Sequence, residues 1–154
     1  VIRIFGICLI GICFFGGCST SGTGGPANHP LEDLVVLGTV DMGATDMDVR
    51  FEEISRQGNI SRVRVTIKEG KSVPTSMFIT RGFYEIARAR DMRYAVHKID
   101  FKVETGTYEY VAGFTDDADT KLKKQFGKEF SGLNDNGDPF ELIDLRMFDA
   151  LGWK

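Results

Sequence analysis

Histidine, cysteine and paired carboxylates do most acid–base and nucleophilic work in proteins, and this 154-residue chain is sparing with the first two. Its histidines are His29 and His97, and its three cysteines, Cys8, Cys13 and Cys18, all fall within the first 18 residues. His97 keeps register with Ile99, Phe101 and Val103 in an alternating pattern. It reads as an inward-pointing core histidine or, alternatively, as a ligand or general base. A Ser–His–Asp or Cys–His set would have to be built on His97 alone, so no catalytic residue is assigned. The segment Asn134-Asp135-Asn136-Gly137-Asp138 has the composition of a calcium loop. Counting from Asn134, however, puts Pro139 at position six and Leu145 at position twelve, where an EF-hand needs Gly and Glu. A plain turn is the expectation there. Asp116, Asp117 and Asp119 read as the acidic start of a helix rather than a cation site. No metal and no cofactor is expected. Carboxylate-only chemistry would be assembled by the fold and leaves no spacing to read.

The elements that position these groups follow from hydrophobic patterning. Residues 34–40 and 47–54 predict two strands, and Gln57-Gly58-Asn59 supplies turn chemistry. Arg62-Val63-Arg64-Val65-Thr66-Ile67-Lys68 alternates strictly and predicts a half-buried antiparallel strand. A helix is expected from about Pro74 to Arg90, with Ile79, Phe83, Ile86 and Ala87 on one face and proline tolerated in the first turn. Residues 98–104 and 108–114, joined by Thr105-Gly106, predict a β-hairpin. A short helix is expected with Asp116, Asp117 and Asp119 at its acidic start, Lys121, Lys123 and Lys124 at its basic end and Ala118, Leu122 and Phe126 as its apolar stripe, a charge order that matches the helix dipole. Asp138-Pro139-Phe140-Glu141 reads as a helix start leading into 142–151 closed by Gly152, with a strand at 141–147 as the competing reading. The fold class is α+β: an antiparallel sheet of about five strands with helices packed on one face. Tyr108, Tyr110, Ala112 and Phe114 share one strand face. If a helix covers that face it is core. If not, Tyr108, Tyr110 and Phe114 form a candidate binding surface, because Tyr is enriched at recognition sites.

The amino terminus is organised differently. Val1-Ile2-Arg3 is followed by an apolar run from Ile4 to Phe15, then Gly16-Gly17-Cys18-Ser19. One positive charge, a short apolar core and small residues before a cut site are the parts of a secretory signal. As a helix the run would span roughly 18 Å at 1.5 Å per residue, against a bilayer core about 30 Å thick. Phe15-Gly16-Gly17-Cys18 resembles the lipobox of bacterial lipoproteins. The resemblance implies a diacylglyceryl group on Cys18 and cleavage before it. An ordinary signal peptide cut near Gly17 and an uncleaved anchor are the alternatives. The domains expected are thus 1–17 as signal peptide, 18–30 as lipidated cysteine and flexible tether, and 31–154 as one folded domain. Ser19 after the cysteine points to the outer membrane under the enterobacterial sorting rule.

Removing residues 1–17 takes away Arg3 and leaves 18 basic against 22 acidic residues, a net charge of −4. Nucleic-acid binding relies on clustered Lys and Arg, so no nucleic-acid partner is expected. A second resemblance rests on Arg62-Val63-Arg64-Val65-Thr66-Ile67, Arg81-Gly82-Phe83-Tyr84-Glu85-Ile86-Ala87 and Met92-Arg93-Tyr94. Residues 60–101 resemble small proteobacterial lipoproteins of unknown function, which carry Gly-Tyr where this chain has Asp91-Met92. That resemblance implies strand–helix–strand packing and no activity. The expectation is a lipid-anchored envelope protein, held to the membrane through Cys18, whose non-enzymatic domain binds an envelope protein or cell-wall component. The alternative is a small ligand-binding protein or carboxylate-based hydrolase.

Overall fold

The structure, a computed structural model, describes residues 34–132 and 139–152. Strands β1 (Val36–Gly38), β2 (Asp48–Gln57) and β3 (Ile60–Glu69) come first, followed by helix α1 (Ser72–Ala89). Strands β4 (Tyr94–Glu104) and β5 (Thr107–Thr115) then form a hairpin. Helix α2 (Leu122–Phe126), a 3-10 turn (Gly127–Phe130), strand β6 (Ile143–Asp144) and a 3-10 segment (Leu145–Leu151) complete the domain. The six strands make one sheet in the order β1-β2-β3-β5-β4-β6, with every described pairing antiparallel. The α+β class expected from the pattern is the one found. Because β3 and β4 both run antiparallel to β5, they are parallel to each other. Helix α1 carries the chain from one to the other and leaves a gap that β5 fills.

Alternation explains the main core. Val49 and Phe51 from β2, Val63 and Val65 from β3, Ala95 from β4 and Ala112 and Phe114 from β5 are fully buried on one sheet face. Side chains two apart on a strand point to the same side, so one register places all of them under α1, which adds Phe78, Phe83, Tyr84, Ile86 and Ala87. Gly82 lets the helix come close. A Cβ there would overlap the Phe51 ring and sit 2.6 Å from its Cγ. Phe51 in turn meets Phe83 edge-to-face at 5.3 Å, the geometry ring quadrupoles prefer.

Helix α2 and the turn after it lie on the opposite face. There Phe126 and Phe130 close a smaller cluster over Val96 and Val111. Gly113 makes room for it, since a Cβ at that position would come within 2.8 Å of the Phe126 ring.

Three expectations need correction. Helix α2 begins at Leu122, not at Asp116, and has no acidic residue in its first turn. The amide of Asp117 donates to Thr115 Oγ1 and that of Asp119 to Asp117 Oδ1, local bonds that hold this stretch in a turn instead of a helix. At the carboxy end both competing readings hold in part: Ile143 and Asp144 are a strand, and the helical segment starts only at Leu145, capped by Asp144 accepting from the Arg146 amide. Leu145–Leu151 winds as 3-10 and ends, as expected, at Gly152, which adopts the left-handed conformation. Finally, β4 does not keep its alternation. Register shifts between Ile99 and Phe101 and between Lys102 and Glu104 break the shared face inferred for His97, Ile99, Phe101 and Val103.

Candidate functional site

Cys18 and His29 lie outside the described residues, as does Asn134–Asp138, so the structure bears on the domain's own candidates. His97 sits half-buried on β4 opposite Ala112. Its ring stacks on Phe83 with centroids 4.4 Å apart and planes 11° from parallel, and Tyr110 meets it edge-on at 6.1 Å. Burial pushes its pKa down from 6.5 to about 4, and no nearby charge opposes that shift. The imidazole is therefore neutral at physiological pH. A general base needs a pKa near the working pH and usually a partner that orients it. His97 has the aromatic surroundings of a core residue instead.

The face of β5 is likewise core. Phe114 is fully buried and Tyr110 is 8% exposed beneath α1, and the Arg90 guanidinium lies 5.1 Å from the centre of the Phe114 ring. Tyr110 and Phe114 are thus not a binding surface. Tyr108, nearer the hairpin end, is half-buried with Lys102 Nζ 6.0 Å from its ring centre. The helix lies over this face for a simple reason. The β3–α1–β4 crossover must pass over β5, and it carries the helix across this face.

The structure brings together a polar network that sequence spacing did not reveal. Glu53, 2% exposed, accepts from Arg56 Nε at 2.8 Å, Arg56 Nη2 at 2.5 Å, Ser61 Oγ at 2.6 Å and the Val35 amide at 3.2 Å. Burial alone would raise its pKa, but the bonds from Arg56, Ser61 and the Val35 amide outweigh that and hold it below the usual carboxylate value. Arg90, at the end of α1, donates to Ser61 Oγ at 3.0 Å and to the Gly58 carbonyl. Burial, with the charge of Arg56 nearby, lowers its pKa to about 10. One carboxylate and two guanidinium groups thereby tie the entry to β1, the β2–β3 hairpin and the helix end together. Each of these polar contacts is made within the protein, which is how buried charge becomes tolerable.

A shallow cleft of about 180 Å³ opens between the end of α1 and the last 3-10 segment, lined by Tyr84, Arg88, Asp91, Met92, Arg146 and Asp149. Tyr84 donates to Asp149 at 2.6 Å across it. Asp91 ends the helix with φ of 52°. The amide of Met92 reaches back to the Ala87 carbonyl and that of Asp91 to the Arg88 carbonyl, the double bond pattern of a left-handed helix cap that ordinarily uses glycine. Further clefts of about 240 Å³ and 280 Å³ lie beside β1 and beside the start of α1. All three are smaller than the roughly 300–1,000 Å³ usual for small-molecule sites. Among the described residues, no group of three or more His, Cys, Asp or Glu could hold a metal ion.

Among the described strand residues, exposed large apolar side chains are Val36 on β1 and a group of three on the distal half of β4. Ile99, Phe101 and Val103 are 43%, 48% and 47% exposed. Beside them the sheet face away from α1 is charged and internally paired, with Arg62–Asp100 at 2.7 Å, Arg64–Glu109 at 2.6 Å and Lys98–Glu129 at 3.1 Å. No family model, no curated protein and no solved structure matches the chain. Among the described residues, the domain offers a neutral stacked histidine, a structural charge network, several small clefts and an exposed apolar stretch on β4.

Proposed function

We propose that this protein is a lipid-anchored component of a bacterial cell envelope whose domain serves as a non-enzymatic binding or scaffolding module. The observation that carries the reading is Phe15-Gly16-Gly17-Cys18 at the end of a 12-residue apolar run. One acyl chain holds a protein to a membrane only marginally, whereas two or more hold it stably, so a diacylated Cys18 would be a sufficient anchor. Residues 19–30 contain no large apolar side chain. As a flexible linker they would reach about 20 Å by the 5–6 Å × √n rule, which lets the domain face a partner rather than lie on lipid. The partner class is another envelope protein or a cell-wall component. Support for binding comes from the exposed strand residues Ile99, Phe101 and Val103.

Cys18→Ala tests the anchor. The variant should leave the membrane fraction and accumulate as a heavier precursor that keeps residues 1–17. Unchanged fractionation together with an unchanged mature mass would overturn the anchor.

A further inference from the structure

The last described elements are held to the domain at one place. Strand β6 pairs with β4 at two positions, Tyr94 with Asp144 and Ala95 with Ile143, whereas β3 and β5 pair continuously from Ile60 to Thr66. The described polar ties end on the same junction between α1 and β4. Leu145 donates its amide to the Arg93 carbonyl at 2.9 Å. The Arg93 guanidinium holds Asp144 through Nε at 3.0 Å, and the Tyr84 hydroxyl donates to Asp149 at 2.6 Å. Of Leu145–Leu151 only Leu145 is buried, while Met147 and Leu151 stand exposed.

These ties are weak for the length of chain they order. The Arg93 and Asp144 side chains are 38% and 34% exposed, and an ion pair so open to water contributes little. The 3-10 geometry has poorer hydrogen bonds than an α-helix and is uncommon beyond three or four residues, yet this run continues for seven. The cleft of about 180 Å³ follows the seam, with Ala87 and Met92 on one wall and Leu145 and Arg146 on the other. The segment is therefore not close-packed against the helix end. Ordering each residue costs backbone entropy whatever its contacts. The burial of Leu145, the partial burial of Ile143 and Phe148 and the Tyr84–Asp149 bond must offset that cost for the whole segment.

We infer that Ile143–Leu151 is a latch, a segment that opens as one unit by local unfolding while α1 and strands β2 to β5 stay folded. Proteins open in contiguous units whose free energies run from near zero up to that of global unfolding, and few buried contacts put a unit at the low end. Opening withdraws Leu145 from the core, frees the edge of β4 at Tyr94 and Ala95, and bares Ala87 and Met92. The latch thereby covers and uncovers an apolar surface at the α1–β4 junction. Its fastenings are Asp144 at one end and Asp149 near the other. The inference does not depend on the membrane anchor.

The test is native-state hydrogen exchange of the full chain in mild detergent, followed by NMR over urea concentrations below the unfolding transition. The Leu145 amide should exchange about a hundredfold or more faster than the paired amides of β3 and β5. Its urea dependence should be much weaker, because the slope scales with the surface exposed on opening. Val63→Ala empties core volume in β3, which β5 and β4 separate from β6. It should speed the β3–β5 amides roughly tenfold or more and leave Leu145 unchanged. Phe51→Leu in β2 makes the same comparison if Val63→Ala fails to fold. Tyr84→Phe removes the fastening at Asp149 and should speed Leu145 roughly tenfold, which requires the two ends to open together. A Leu145 amide as slow as the β3–β5 amides, with the same urea slope, would mean that the segment unfolds only with the whole domain, and would overturn the inference. So would Val63→Ala speeding Leu145 as much as β3 and β5, or a Leu145 amide indifferent to Tyr84→Phe.

Discussion

Protonation of His97 should cost this domain stability at mildly acidic pH, and the size of that cost follows from where the ring sits. The imidazole is stacked on Phe83 with Tyr110 at its edge, and burial takes its pKa from 6.5 to about 4. Between those values the unfolded chain binds a proton that the folded chain refuses. Stability therefore falls as pH falls from about 6.5 toward 4, and above 6.5 the group contributes no pH dependence. Integrating the proton linkage from pH 7.5 to pH 4.5 gives a loss of about 2.5 kcal/mol as a ceiling. The ring keeps some contact with water, which sets the working expectation at about 1–2.5 kcal/mol. The perturbation is His97→Phe, which keeps an aromatic ring against Phe83 and cannot take up a proton. Urea unfolding of both chains at intervals from pH 7.5 to 4.5 should show the wild type losing this amount relative to the variant. Histidine resonances followed by NMR should show the His97 signal, identified by its loss in the variant, still unprotonated at pH 5.5. Equal pH slopes in the two chains, or a His97 ring that titrates near 6.5, would refute the reasoning and reopen His97 as a chemically active group.

Two further outcomes follow from the polar network and the helix cap. Glu53→Gln removes the carboxylate that Arg56 and Ser61 share while leaving the Arg56 charge buried, the Glu53 and Arg56 side chains being 0% and 3% exposed. It should destabilise the domain by about 3–5 kcal/mol in denaturant unfolding, and a change under about 1 kcal/mol would show that water enters the network. Asp91→Gly relieves a side chain held at φ of 52° and should stabilise by about 0.5–1 kcal/mol. A lower melting temperature would instead mean that the Asp91 carboxylate contributes favourably to the cleft beside Arg88 and Arg146.

Much of the fold was legible locally. The hairpin turns at Gly58 and Gly106, both at positive φ, stand where turn chemistry put them. The alternating run at Val63, Val65 and Ile67 lies inside β3, and the periodic segment after Lys71 is α1. These features depend on neighbours a few residues apart, so period and composition determine them. The short carboxy-terminal elements were the least readable, because Leu142 and Ile143 suit a strand and a helix equally.

The sequence by itself determined the strands, the main helix, the α+β class and the Phe15-Gly16-Gly17-Cys18 motif at the amino end. Tertiary structure decided what those elements expose. Tyr110 and Phe114 became core because the crossover from β3 to β4 carries α1 over β5, an outcome of strand order that no local pattern encodes. Ile99, Phe101 and Val103 look like core by alternation, yet they stand exposed because β4 runs past the cover of α1 and its register shifts there. Glu53, Arg56, Ser61 and Arg90 are scattered along the chain and meet only because the β2–β3 hairpin and the end of α1 converge. Periodicity reports which side chains share a face. What covers a face is set by contacts between distant segments.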